Sequence, residues 1–230
     1  MGKLFIVATP IGNLGDITVR ALEILRTVYL IAAEDTRITK KLLNHYQIST
    51  PLISYHQHSQ ANKINYLIDQ LLDNKNIALV TDAGTPGIQD PAGELVQIAR
   101  KANVEVITVP GPSALTAALS ISGARTDQFI FLGFLPKKKG RETLFKKIID
   151  WKLPIMIYES PMRVVRTLND IKKFLGHRQL IIFRELTKKF EEVKTGDIET
   201  MLEYFINKKP KGEFVIMILP HKKSKWQTQP

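Results

Sequence analysis

The chain has 230 residues, 44% of them hydrophobic and 24% charged, with no cysteine and a net charge of +11. That length holds one large or two small domains with genuine cores, and the missing cysteines exclude disulfides and thiolate metal sites. The longest apolar runs, 28–33 and 214–219, fall far short of the ~20 residues of a membrane span, and Pro10 and Gly12 interrupt the start too early for the ~7–15-residue apolar centre of a secretory signal, so a cytoplasmic protein away from the membrane is expected.

Residues 4–8 form a short apolar run, followed by the Gly/Pro-rich loop 9–16 (TPIGNLGD) and the amphipathic stretch 17–25 capped by Asp16, which reads as strand, loop, helix. Residues 29–33 read as a buried strand, Asp35 or Thr36 caps a helix to about Tyr46, 52–55 is a short strand, and a helix covers 61–73. Strand 77–81, loop 82–91 (DAGTPGIQDP), helix 92–102 and strand 104–109 continue the alternation. Connections of this length imply a mainly parallel sheet with helices on both faces.

Pro110, Gly111 and Pro112 stop the last of these strands and mark a boundary between domains 1–112 and 113–220, with a basic tail, 221–230, expected to fray. The charge changes at the same point. Residues 1–112 carry ten Lys/Arg against ten Asp/Glu, whereas 113–230 carry 23 against 12, so the whole excess lies in the second half. A half that meets a polyanion and a basic solvated surface both fit this asymmetry. Beyond the boundary Ser113 caps a small-residue helix to about Ser122, 129–132 is a strand and 141–151 a helix. Then 154–158, 164–175, 180–183, 198–206 and 214–219 alternate strand and helix.

The loops 9–16, 82–91 and 110–113 (PGPS) each follow an apolar strand. In an open parallel sheet ligands bind beyond the carboxyl ends of the strands, where small residues let backbone amides come close. Any one of these loops alone reads as a plain turn; three at equivalent strand ends point to a crevice in which they converge. No G-x-x-x-x-G-K-[ST], no G-x-G-x-x-G after the first strand and no G-x-S-x-G is present. His56 and His58 form H-x-H, but with no third ligand nearby a loop or core role outweighs a metal site, and no metal is expected.

FIVATPIGNLGDIT, AAEDTR, LVTDAGTPGIQDP, VPGPSA, YESP, RELTK and GEF, in this order and spacing, resemble the type I small-subunit ribosomal RNA 2′-O-methyltransferases. That group belongs to the tetrapyrrole-methylase-like (class III) superfamily of S-adenosylmethionine enzymes, and the resemblance runs from residue 4 to about 219. It implies two α/β domains with mainly parallel or mixed sheets and an S-adenosylmethionine cleft between them. The implied reaction is methylation of the ribose 2′-hydroxyl of a cytidine in the decoding region of 16S ribosomal RNA, in the small ribosomal subunit, by a homodimer. Pro10, Thr85, Ile88, Ser113 and Ala114 would line the methionine and ribose portion, with Asp82 and Gly84 in the same loops, and Tyr158, Arg184 and Val215 would lie near the adenine. Met162, where the family usually has histidine after YESP, and YHQHSQ, without the family's acidic-Asn pattern, depart on the substrate side.

Methyl transfer from a sulfonium is a positioning task, and a ribose hydroxyl needs a base or an orienting charge. Glu34, Asp35 and Glu159 are the candidate carboxylates. Arg37 of EDTR either holds an RNA phosphate bidentately or is the surface partner of Asp35 acting as a helix cap. Glu159 with Arg163 in YESPMR repeats the acid and arginine pairing, as substrate contact or as structural ion pair. Lys137, Lys138, Lys139 and Arg141, between Gly133 and Gly140 on one side and a helix on the other, suit phosphate tracking or form a solvated charge run. A tetrapyrrole-type small-molecule methyltransferase is the alternative function, and a non-catalytic RNA binder a third, against which the cofactor loops argue.

Overall fold

Period-two apolar alternation in the first five strands decides which helix packs on which face. The computed structural model describes residues 1–56 and 61–221; residues 57–60, with His58 and most of YHQHSQ, and the tail 222–230 lie outside the described residues. The chain divides into two compact α/β units, Met1–Ser113 and Ala114–Pro230.

The first unit contains β1 (Lys3–Val7), β2 (Leu30–Ala33), β3 (Leu52–Ser54), β4 (Ile77–Val80) and β5 (Glu105–Val109), all parallel, in the order β3-β2-β4-β1-β5. Leu4, Leu30, Ala32, Ile77 and Leu79 face α3 (Ala61–Leu72) and α4 (Ala92–Lys101), packing on Leu67, Leu71, Leu95 and Ala99. The intervening residues Phe5, Val7, Ile31, Ala33, Ala78 and Val80 face the other way, onto Ala21 and Leu25 of α1 (Val19–Thr27) and Leu43 of α2 (Thr36–His45). Because the strands all run one way, every loop leaving a strand opens at the same edge of the sheet.

Helix α1 begins later than the expected 17–25. Leu14–Asp16 instead forms a 3-10 turn in which the Asn13 side chain accepts from the Gly15 amide at 3.0 Å. Thr18 then caps α1, its hydroxyl accepting from the Ala21 amide at 3.1 Å, so the capping role expected of Asp16 belongs to Thr18.

The second unit contains β6 (Ile130–Phe134), β7 (Ile155–Glu159), β8 (Gln179–Arg184), β9 (Glu192–Asp197) and β10 (Phe214–Ile218) in the order β6-β7-β10-β8-β9. Only β6 and β7 are parallel; the remaining pairings are antiparallel. Its helices are α5 (Ala114–Ile121), α6 (Arg141–Ile148), α7 (Val164–Leu175) and α8 (Ile198–Asn207). Phe145, Leu168, Ile171, Met201 and Phe205 from α6, α7 and α8 cover Ile155, Ile157, Ile182 and Ile216. Strand β10 is buried along its whole length, which is why FVIMI is continuously apolar. Strand β9 has no counterpart among the expected elements. Its sequence EVKTGD offers no apolar run, and it exists as an edge strand by pairing with β8 from Gln179↔Asp197 to Arg184↔Glu192. Among the described residues no helix is long and apolar enough to cross a membrane.

Candidate functional site

The loops that leave β1, β4 and β5 are tied to one another. The Thr9 amide donates to the Gly84 carbonyl at 2.9 Å and the Gly84 amide returns the bond to Thr9 at 3.0 Å. The Thr9 hydroxyl donates to the Thr81 carbonyl at 3.0 Å, and the Thr85 hydroxyl to the Pro112 carbonyl at 3.1 Å. Glycine is favoured here by backbone conformation and by close packing. Gly84 has φ +86°, and a Cβ on Gly111 would stand 3.1 Å from the Ala8 Cβ. The Asp90 carboxylate accepts from the Gly87 amide at 2.8 Å and the Ala92 amide at 2.9 Å, folding the GIQDP segment so that the Ile88 side chain is exposed. Pro10, Asp82, Gly84, Thr85, Ile88 and Ser113 are therefore gathered at one edge of the first sheet, and Ala114 opens α5 immediately after it. Sequence reasoning missed Thr9 and Asp90; a threonine at a strand exit and an aspartate two residues before a helix are the signals.

Beside these loops, the exits of β2 and β4 form an acidic cluster with one arginine. The Thr81 hydroxyl donates to Glu34 Oε2 at 2.6 Å, and Asp82 Oδ1 accepts from the Asp35 amide at 2.9 Å. Asp35 caps α2 through the Arg37 amide at 2.8 Å and also holds the Arg37 side chain, with Nε at 3.0 Å and Nη2 at 2.6 Å. Both readings of EDTR are thus built into one residue pair, because Arg37 is 87% exposed while bound to its cap. The hydrogen bonds from the Arg37 side chain and amide hold the Asp35 carboxyl at about 2. Burial pushes Asp82 upward, and the adjacent Glu34 and Asp35 charges push the same way.

These opposite shifts predict a split titration. In carboxyl 13C NMR Asp35 is expected to titrate near 2 and Asp82 above the ordinary aspartate range. Since the folded value of Asp35 lies below its unfolded value of ~3.9, its stabilising contribution is complete above that pH and is lost as pH falls through about 2. Arg37→Gln should return Asp35 toward the ordinary value; an unmoved titration would contradict the assignment.

In the second unit Tyr158, Arg184 and Val215 lie on three adjacent strands, with Val215 opposite Tyr158 on one side and Phe183 on the other. Phe131 and Phe134 pack edge-on against Tyr158, at 4.9 and 5.7 Å between ring centres. The Arg184 guanidinium donates to the Lys211 carbonyl at 2.7 Å and pairs with Glu192 at 3.0 Å, and Val215 is buried. The side chains of Arg184 and Val215 are thereby engaged within the second unit.

Three side chains expected on the substrate side turn inward instead. Glu159 is 2% exposed and accepts from the Thr167 hydroxyl at 2.6 Å and the Ser160 amide at 2.9 Å, the arrangement of the structural ion pair rather than of the expected substrate contact. Arg141 does not track phosphates, since it is 4% exposed and bound to Asp170 at 2.7 Å, Thr167 at 2.8 Å and the Pro136 carbonyl at 3.1 Å. Burying a guanidinium requires such partners, and at 4% exposure the Arg141 side chain faces Asp170, Thr167 and the Pro136 carbonyl instead of the surface. Arg163 likewise turns inward, to Glu159 at 3.2 Å and the Leu135 carbonyl at 2.5 Å. Lys137, Lys138 and Lys139 are exposed and make no ion pair among the described residues. His56 is exposed, and no group of three His, Asp or Glu side chains stands as metal ligands among the described residues.

Residues 3–202 match the family described as Tetrapyrrole (Corrin/Porphyrin) Methylases. A ribosomal RNA small subunit methyltransferase I of Synechocystis sp. is 52% identical over 220 residues, covering 95% of this chain and 79% of its own. The protein of the same name from Thermotoga maritima is 45% identical over 218 residues, covering 95% of this chain and 98% of its own. Among solved structures, diphthine synthase superposes with a TM-score of 0.77 at 14% identity, covering 95% of this chain and 90% of that one. Cobalt precorrin-4 methyltransferase gives 0.72 at 15% identity, over 99% and 96%. At such identities these structures establish the fold alone.

Proposed function

Because the chain belongs to the tetrapyrrole (corrin/porphyrin) methylase family, and within it groups with the ribosomal RNA small subunit methyltransferases I, we propose that it methylates 16S ribosomal RNA from S-adenosylmethionine, at the ribose 2′-hydroxyl of a cytidine in the decoding region. The observation that carries this reading is the 52% identity sustained over 95% of the chain, against 14–15% for relatives of shared fold. A homodimer, and the assembled small subunit as the form in which the RNA is met, complete the reading from the resemblance.

The residues present fit the cofactor. Gly84 at φ +86° and the close approach of Gly111 to Ala8 let the loops that leave β1, β4 and β5 pack tightly together, with backbone amides and carbonyls in place of bulky side chains. Pro10 and Ile88 would supply apolar contact, and Thr85 and Ser113 polar contact. S-adenosylmethionine supplies a methyl group already activated on a sulfonium. The chain's own work is then orientation and proton handling. Asp35, held ionised by Arg37, fixes the guanidinium that would receive an RNA phosphate. Glu34 and Asp82 remain to accept the hydroxyl proton, and burial raises the proton affinity of Asp82.

Labelled methyl transfer should therefore appear with small-subunit RNA, naked or assembled, and not with a corrin or porphyrin precursor. Transfer to the precursor alone would favour the small-molecule alternative.

A further inference from the structure

A densely bonded group of charged side chains in the second unit adjoins its cationic loop. Glu159 at the end of β7, Arg163 beside it, Thr167 and Asp170 on α7 and Arg141 at the start of α6 form one buried lattice. The Thr167 hydroxyl is its bridge: it receives Arg141 Nη2 at 2.8 Å and donates to Glu159 Oε2 at 2.6 Å, and Thr167 is 0% exposed. Glu159 carries its other oxygen to Arg163 at 3.2 Å, and Arg141 Nε reaches Asp170 at 2.7 Å. Two positive and two negative groups are thus paired within the unit, which is the condition for burying charge.

The outward bonds of the lattice have a common target. Arg163 Nη2 donates to the Leu135 carbonyl at 2.5 Å, and Arg141 Nη1 donates to the Pro136 carbonyl at 3.1 Å. The Arg141 amide donates to the Lys138 carbonyl at 3.2 Å. Successive carbonyls at the root of the loop are therefore held by two inward-facing guanidinium groups, and Lys137, Lys138 and Lys139 follow directly, exposed. A lysine run on a free loop adapts to any polyanion at an entropic cost, whereas one anchored at its root presents its charges in a fixed register.

We propose that this lattice positions the Lys137 to Lys139 loop for capture of the RNA backbone, with Arg141, Arg163, Glu159 and Thr167 acting as positioning residues that never touch the RNA. The inference rests on the RNA reading above.

Thr167→Val tests it, because the substitution keeps the side chain's shape and removes only the bridging hydroxyl, at a site the substrate cannot reach. The expected result is a KM for RNA raised about fivefold or more with kcat within about twofold, an unchanged KM for S-adenosylmethionine, and faster tryptic cleavage at 137–139. Thr167→Ser, which restores the hydroxyl, should return all of these to the parent values. In a background with Lys137, Lys138 and Lys139 changed to alanine, Thr167→Val should raise the KM for RNA no further, since the groups it positions are gone. Should Thr167→Val fail to fold, Asp170→Asn at the outer edge of the lattice is expected to move the same quantities less far. A folded variant with the parent's KM for RNA, or an effect that persists undiminished in the lysine-free background, would overturn the inference. A parent protein that binds no RNA would overturn the functional reading instead, and with it the premise.

Discussion

Changing Lys137, Lys138 and Lys139 together to alanine is expected to weaken binding of single-stranded small-subunit RNA by about a hundredfold near physiological salt, a little under ~3 kcal/mol. Three released phosphate contacts at about 0.7 each should also flatten the salt dependence, lowering the slope of log affinity against log salt by about two. The structure sharpens this expectation by removing Arg141 from the set. Its guanidinium is buried among Asp170, Thr167 and the Pro136 carbonyl, so its loss would act on folding and on the loop's root. Cofactor affinity should stay with the parent, because the lysines belong to a different unit from the glycine-rich loops. Filter binding across a salt series measures both quantities, and an unchanged slope would reduce the lysines to a solvated charge run.

Arg37→Lys should lower methyl transfer by about tenfold or more, the equivalent of ~1.4 kcal/mol in transition-state positioning. The reasoning is geometric. Nε and Nη2 of Arg37 are engaged by Asp35 at 3.0 and 2.6 Å, and the remaining N–H groups of the planar fork still face solvent, aligned to take a second oxyanion. A lysine ammonium keeps the charge but cannot hold Asp35 and a phosphate in one plane. Melting temperature should hardly move, since the Arg37 side chain is exposed and Arg37→Lys leaves the Asp35 cap to the residue 37 amide in place. Activity, cofactor affinity and melting temperature measured on one preparation separate the outcomes. Parent-like activity, or a joint collapse of stability and cofactor binding, would return Arg37 to a helix-capping partner.

What the sequence made legible was the part governed by local pattern. The central strands β1, β2 and β4 of the first sheet are short and buried on both faces, so their apolar runs stand out between Gly/Pro loops, and parallel topology then brings the loop ends together without further information. The bonds Thr9 to Gly84 and Thr85 to Pro112 realise that convergence. What stayed hidden depends on partners distant in sequence. Strand β9 has no apolar run and is defined only by its pairing with β8. Arg141 looked like the fourth member of a basic cluster, yet α7 supplies Thr167 and Asp170 to bury it. Glu159 looked like a twin of the Glu34 and Asp35 pair because an acid followed by an arginine is the same pattern whether it faces solvent or a core. Thr18 displaced Asp16 as a helix cap because the 3-10 turn on Asn13 lengthens the loop ahead of α1.

The central claim, a ribose methyltransferase acting on small-subunit RNA, is tested most directly by nucleoside mass spectrometry of 16S RNA after incubation with the protein and methyl-labelled S-adenosylmethionine. The account predicts label on a single cytidine, recovered as the 2′-O-methyl nucleoside and located in the decoding region. Label on a base, or none on the RNA while a corrin or porphyrin precursor is methylated under the same conditions, would contradict it.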